Sequence, residues 1–287
     1  MKNYLSLVKF SHTIFALPFA LVGYFIAVNT PEHSFDLKVL GLVLLCMVFA
    51  RNAAMAFNRY IDRDIDSANP RTAVREIPAG VLKANSVLIF IVFNAACFIA
   101  TTYFINSLCF YLSPLALLIT LGYSLTKRFT ALCHVILGLG LSLAPVGAYL
   151  AVTGEFDQVP ILYGLAVLFW VAGFDIIYAL QDFEFDMSHR LKSTPVWLGK
   201  QNALMLSTGF HLLTTTAILY AAYLIGEQFS SMNYLHWVGA GSFIVLLAYQ
   251  HTLVKSDDLS KVNFAFFTTN GVASVIFGSL LIADFYL

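Results

Sequence analysis

Apolar stretches long enough to span a membrane follow one another along this chain, separated by short polar breaks. A bilayer core about 30 Å thick needs about 20 apolar residues per helix. Spans are therefore expected at 10–28, 37–60, 84–105, 109–126, 130–152, 159–181, 201–225, 233–254 and 262–283. The predicted fold class is all-α: a polytopic membrane protein of about nine transmembrane helices in one domain, 1–287. Lys2 and Lys9 precede the first stretch, but no small-residue cleavage site ends it at a leader's distance, so it reads as the first span. Two breaks are long, about 61–83 and 183–200, and are expected to be cytoplasmic cap loops. The other breaks are short turns.

Composition agrees with the pattern. The chain is 59% hydrophobic and 11% charged, where soluble domains run near 25% charged. Net charge is zero, so nothing argues for a nucleic-acid partner or an acidic tail, and no obligatory protein partner is inferred. Cys46, Cys97, Cys109 and Cys133 stand apart within apolar runs without a CxxC, which favours small buried hydrophobes over a disulfide or zinc site. Charge also orients the chain. With the amino terminus inside, 14 of the 16 lysines and arginines fall on one side; Lys38 lies on the other and Arg51 within a span. The opposite loops hold Glu32, Asp36, Glu155, Asp157 and Glu227. The positive-inside rule then places both long loops in the cytoplasm and the carboxyl terminus outside.

Two acid-rich helix ends face those loops. One carries Asn58, Asp62 and Asp66; the other carries Asp175, Tyr178, Gln181, Asp182 and Asp186. A carboxylate costs roughly 2.5–3.5 kcal/mol at mid-bilayer and marks a functional position by default. Steps of four residues place Asn58, Asp62 and Asp66 along one helical face, drifting about 40° per step, and Asp175, Asp182 and Asp186 are expected to do the same on the other helix. The halves echo one another, since Tyr178, Asp182 and Asp186 fall 120 positions after Asn58, Asp62 and Asp66. The two acidic helices are spans two and six and point the same way, as in a parallel repeat of four helices plus one.

Such clusters suit divalent ions carrying phosphates, because magnesium takes one or two carboxylates plus phosphate oxygens. Two facing clusters are expected to repel unless such ions sit between them. A diphosphate would complete the ions' shells, with Arg71, Arg75, Lys127, Arg128, Arg190 and Lys192 on the same side to reach its outer oxygens. Metal and cations together stabilise a leaving diphosphate. An apolar tunnel among spans rich in Phe, Leu, Ile and Ala would take an allylic lipid tail.

These motifs carry a resemblance. Asn58, Asp62 and Asp66, followed by Arg71-Thr72, Arg75, Pro78 and Gly80, are similar to the first motif of the UbiA superfamily of intramembrane aromatic prenyltransferases. Asp175, Tyr178, Gln181, Asp182 and Asp186 with Lys192-Ser193 resemble the second, and Tyr123 with Lys127-Arg128 resembles a third feature after span four. The motifs occupy 58–75 and 175–193, and the resemblance covers essentially the whole chain. It implies a UbiA-type bundle and Mg2+-assisted ionisation of a polyprenyl diphosphate to an allylic cation, which an aromatic ring attacks before losing a proton. Carried over by position, Asn58, Asp62, Asp66, Asp182 and Asp186 hold the metal. Arg71, Arg75, Lys127 and Lys192 grip the diphosphate, with Asn58 also at the substrate, and Asp175, Tyr178 and Lys127 serve the reacting centre. Where many branches begin span one with Arg-Pro, this chain reads Lys9-Phe10-Ser11-His12-Thr13. The stretch from His12 to Pro18 resembles bacterial members acting on 4-hydroxybenzoate or a related hydroxy-naphthoate acid, and Lys9 or His12 is expected to meet the acceptor carboxylate. The implied setting is a bacterial inner membrane, with the site cytoplasmic and the pathway that of ubiquinone or menaquinone.

Plainer readings compete. Asp62 and Asp66 alone would read equally well as a charged helix end reaching headgroup water; the match at Asp182 and Asp186 makes that a poor bet. On general grounds His12, and His134 still more, suit interhelical hydrogen bonding rather than ligand contact, and Gly138, Gly140 and Gly147 suit close helix contacts. Arg51 fits either a structural partner of the acids or the site itself. Haem, homogentisate and chlorophyllide are alternative acceptors. A secondary transporter would share repeats and intramembrane acids but place its site near the midplane. A lipid-headgroup phosphotransferase would need an Asp-Gly pair that Asp62-Arg63 and Asp66-Ser67 do not supply.

Overall fold

The computed structural model describes residues 2–8 and 15–287, which form helices and connecting loops with no strand among them. The long helices are α1 (Leu17–Val28), α2 (Leu37–Ile61), α3 (Ala84–Tyr103), α4 (Ser107–Thr126), α5 (Cys133–Thr153), α6 (Gln158–Ala179), α7 (Lys200–Gln228), α8 (Leu235–Leu253) and α9 (Asn270–Asp284). Each expected span coincides with one of them. Among the described residues, seven helical segments are long and apolar enough to cross a membrane. Helix α1 is apolar but shorter, at 12 residues, and part of its expected span lies outside the described residues. Helix α8 has 19 residues, but His236, Gln250 and His251 dilute its apolar character. Each of those side chains finds one partner inside the protein, while His236 Nε2 and Gln250 Oε1 are buried without one among the described residues. His236 Nδ1 lies 2.5 Å from Asp284, Gln250 donates to the Ala265 carbonyl, and His251 Nε2 lies 2.8 Å from His211. Burial without such partners would cost several kcal/mol.

Local chemistry fixes the helix starts at one end of the bundle. The side chain of Asp36 accepts from the Lys38 and Val39 amides, Asn106 from Cys109 and Asp157 from Val159. These N-caps satisfy donors that the first helical turn leaves free. Helix α5 ends at the same end in left-handed Gly154, φ 71°.

The helices pack as a ring, with α1 on α5, α5 between α4 and α6, α6 on α7, α2 on α3, and α8 on α9. An aromatic cluster of Phe19, Trp170, Phe243 and Phe277 closes the core, and Trp170 Nε1 donates to Asn270 Oδ1 at 2.9 Å. A π-turn, Phe264–Thr269, leads into α9. It presents Phe266 to Phe174 and to Tyr178, whose ring centroid is 4.1 Å away.

Two glycines set close crossings. A Cβ on Gly138 would lie 2.2 Å from the Leu168 carbonyl oxygen, and one on Gly23 would lie 2.1 Å from that of Pro145. Gly138 thus meets the expectation of a close helix contact. Gly147 does not: nothing lies within 4 Å of its Cβ position, which borders a cavity instead. Gly138→Ala should accordingly destabilise the bundle by about 1–3 kcal/mol through overpacking, whereas Gly147→Ala should not. Thermal unfolding of the two detergent-solubilised variants tests the contrast, and equal melting temperatures would count against it.

Candidate active site

Both acid-bearing helices break at the motif. Helix α2 stops at Ile61 and Asp62 turns with φ −88°, ψ 4°, before a short helix, Arg63–Ala68. Helix α6 passes through the 3-10 turn Leu180–Asp182, where Asp182 has φ −97°, ψ 4°, before the short helix Phe183–Ser188. The same sparsely populated backbone region recurs at residues 120 apart in sequence. The expected single helical face is therefore interrupted: Asp66 and Asp186 sit on separate short helices, turned relative to Asn58 and Tyr178.

The loops bring the two motifs together. Arg71, from the first long loop, donates from Nε to Asp182 Oδ1 at 2.9 Å and from Nη2 to Oδ2, forming a two-pronged pair. Asn69 Nδ2 also donates to Asp182 Oδ1, at 3.1 Å, and Arg71 Nη1 reaches the Tyr178 hydroxyl at 3.2 Å. Burial alone would pull the Arg71 guanidinium pKa down; the hydrogen bonds and charge of Asp182, with Tyr178, carry it above its ordinary value. On the first motif, Asp62 is 1% exposed and meets Lys127 Nζ at 2.6 Å and Arg128 Nη2 at 3.0 Å. Asn58 Nδ2 donates to its Oδ2 at 3.3 Å. Arg128 also donates to the Ile61 carbonyl at 2.8 Å, closing the carboxyl end of α2. Asp66 pairs with Arg75 at 2.6 Å.

The counter-charges are thus basic side chains of the same motifs, in the place where the sequence suggests divalent ions. Among the described residues no three His, Cys, Asp or Glu side chains form a ready metal cage. The donor set still suits a hard cation. Carboxylate and amide oxygens dominate it, and Asp66 Oδ2 is buried without a hydrogen-bond partner.

The second loop docks beside these groups. The Lys192 amide donates to the Lys127 carbonyl at 2.7 Å, while its side chain is exposed. Thr194 Oγ1 donates to the Ala131 carbonyl at 2.9 Å. Asp186 is half-buried, and Lys9 and His12 lie outside the described residues. Asp175 contacts a group the sequence undervalues: His134 Nδ1 lies 2.7 Å from its Oδ2. Asn69 and His134 are the contacts that motif spacing alone does not single out.

A cavity of about 500 Å3 opens behind the motifs, with walls from α1 to α6. Arg51, Tyr123 and Asp175 line one end; Leu150, Ala151 and Phe156 line the other. Along α2 it runs from Val43 to Met55, a helical distance of about 18 Å. Its surface is overwhelmingly apolar, as an alkyl or isoprenoid chain requires. Arg51, which the sequence leaves between two roles, borders this space.

Comparison with known proteins places the geometry in context. The profile of the UbiA prenyltransferase family matches residues 16–272. A 4-hydroxybenzoate octaprenyltransferase of Aliivibrio salmonicida is 31% identical over 249 residues, covering 84% of this chain and 83% of its own. One from Tolumonas auensis is 32% identical over 244 residues with the same coverage. The apo structure of a UbiA homolog from Aeropyrum pernix K1 superposes with a TM-score of 0.84 at 32% identity, covering 95% of this chain and 98% of that one. A UbiA homolog from Archaeoglobus fulgidus, solved with GPP and Mg2+, shares the fold at TM-score 0.74 and 23% identity, covering 99% and 100% of the two chains.

The Arg71–Asp182 pair predicts a mechanical effect. Asp182→Ala should remove about 1.5–3 kcal/mol of loop anchoring and speed tryptic cleavage after Arg71 and Arg75. Mass spectrometry of a digestion time course measures this; cleavage at the parental rate would show that other contacts hold the loop.

Proposed function

The chain belongs to the UbiA prenyltransferase family, and on that premise we propose that it transfers a polyprenyl group from polyprenyl diphosphate to 4-hydroxybenzoate or a related hydroxy-naphthoate acid. The observation that carries this reading is the meeting of two acid motifs, through Arg71 and Asp182, at the mouth of an apolar cavity lined by Asp175. The cavity receives the isoprenoid tail, and the motifs receive its diphosphate. Arg51 on the cavity wall favours an acidic acceptor over a neutral one. The named relatives support the same acceptor class. The product would feed ubiquinone or menaquinone synthesis. The site would face the cytoplasm of a bacterial inner membrane, where the basic loops lie.

In this reading Asn58, Asp62, Asp66, Asp182 and Asp186 hold Mg2+, which when bound would supply Lewis-acid stabilisation of the leaving group. Arg71, Arg75 and Lys127 exchange their carboxylate partners for diphosphate oxygens, and exposed Lys192 adds charge at the rim. Such an exchange keeps every buried charge compensated as substrate enters. Tyr178, held between Arg71 and Phe266, offers an aromatic face to the developing allylic cation. Asp175 borders the same end of the cavity and adds negative potential there. Lys9 and His12 are proposed to meet the acceptor carboxylate. The ring carbon then forms the new C–C bond and releases its proton.

Proteoliposomes given radiolabelled polyprenyl diphosphate and a panel of hydroxybenzoate, hydroxy-naphthoate and homogentisate acceptors test the assignment. Prenylated aromatic acid is the expected product, and labelled product from homogentisate alone would overturn the acceptor class. Exhaustive chelation should stop turnover and added Mg2+ should restore it; persisting turnover would remove the metal from the scheme. Asp62→Asn should lower transfer by about 10²–10³-fold with helical content unchanged by circular dichroism. Full activity would show that this carboxylate is not part of the site.

A further inference from the structure

His134 sits in the first turn of α5, 4% exposed, in a position that neither metal nor diphosphate binding requires. Its two ring nitrogens face different partners. Nε2 lies 3.4 Å from the backbone amide of Thr194. That amide can only donate, and with Nε2 accepting from it the ring proton resides on Nδ1. Nδ1 therefore donates to Asp175 Oδ2 at 2.7 Å. Among the described residues Asp175 Oδ1 has no hydrogen-bond partner, and the residue borders the cavity. The loop end of the relay is itself fixed: Thr194 Oγ1 bonds the Ala131 carbonyl, and the Lys192 amide bonds that of Lys127.

We propose that His134 is the positioning residue of the reacting centre, holding Asp175 by one oxygen so that the other faces the cavity, with its tautomer set by the docked second loop. The proposal rests on the prenyl-transfer reading and adds to it a residue outside the acid motifs. Docking of the Lys192–Thr194 backbone fixes the tautomer; the tautomer fixes the carboxylate. Docking of the second loop and alignment of Asp175 are thereby parts of one arrangement.

Loss of this hold has a chemical signature. An allylic cation that is poorly aligned with its acceptor is open to water: the allylic C–O bond to diphosphate breaks, a C–O bond to water forms, and a proton leaves with inorganic diphosphate. The partition between prenylated aromatic and prenyl alcohol reports alignment directly.

Wild type, His134→Leu and His134→Asn are compared in liposomes with radiolabelled prenyl diphosphate, Mg2+ and the best acceptor of the panel. His134→Leu should lower kcat by about 10²-fold, the scale of a small misplacement, and raise the share of prenyl alcohol. KM for prenyl diphosphate should change less than about 3-fold, because that binding is not made by Asp175. Asn places an N–H donor near the Nδ1 position, so His134→Asn should recover about 10-fold of the lost kcat by restoring part of the orienting bond. Parental kcat and product ratio in His134→Leu would overturn the proposal. Equal loss in both variants with matched falls in melting temperature would also overturn it, showing a structural role only. If wild type prenylates no acceptor, the functional reading falls, and the same Leu-to-Asn comparison on diphosphate cleavage alone still decides the positioning role.

Discussion

The two-pronged contact between Arg71 and Asp182 is the constraint on which the rest of this architecture depends. It joins a loop of the first half to a helix end of the second, 111 residues away in sequence. Together with Asn69, which also donates to Asp182, it ties the acid motifs of two membrane helices to each other. With it, and with Lys127, Arg128 and Arg75 serving Asp62 and Asp66, each of these carboxylates has a basic partner in a poorly solvated place. A buried charge stripped of its partner costs about 3–5 kcal/mol, so these cations hold the mouth together before any ligand arrives. In the proposed reading the same side chains are the ones a diphosphate would recruit.

Much of this was legible in the sequence because membrane burial imposes simple rules. Runs of about 20 apolar residues leave little freedom, and α2 to α7 coincide with the expected spans within a few residues. The echo between Asn58-Asp62-Asp66 and Tyr178-Asp182-Asp186 marked a true structural correspondence, since Asp62 and Asp182 share one backbone conformation. What spacing could not convey was the break itself. A period of four is compatible with one continuous helix, and nothing at Asp62 or Asp182 resembles a proline or glycine breaker. The partner of each carboxylate was also hidden. Lys127 and Arg128 lie 65 and 66 residues from Asp62, and pairing over that distance is set by tertiary packing. His134 looked like a bland interhelical residue because its partner, Asp175, is 41 positions away. Gly147 looked like its neighbour Gly138, yet one meets a carbonyl and the other borders open space. Spacing distinguishes neither case.

Polarity inside the bundle follows a division of labour. At the capped end, Asp36, Asn106 and Asp157 spend their oxygens on backbone amides, leaving helix starts that ask nothing of a ligand. At the motif end, Asp62 and Asp182 sit at helix breaks without capping through their side chains, so their oxygens remain available to other partners. In α8, His236, Gln250 and His251 are consumed by internal contacts. The polar residues of the two ends thus differ in partner: backbone amides at the capped end, basic side chains at the motif end.

The π-turn at Phe264–Thr269 carries a geometric consequence of its own. One residue beyond the usual count advances everything downstream by about 100° around the axis. Within the turn Phe266 packs on Tyr178 and borders the cavity; beyond it Phe277 and Leu281 join the same buried cluster. The Ala265 carbonyl, shared by Gln250, Thr269 and Asn270, pins the phase change in place. Excising a single residue here would swing one aromatic set or the other out of register, coupling the shape of the reaction chamber to the seating of the last helix.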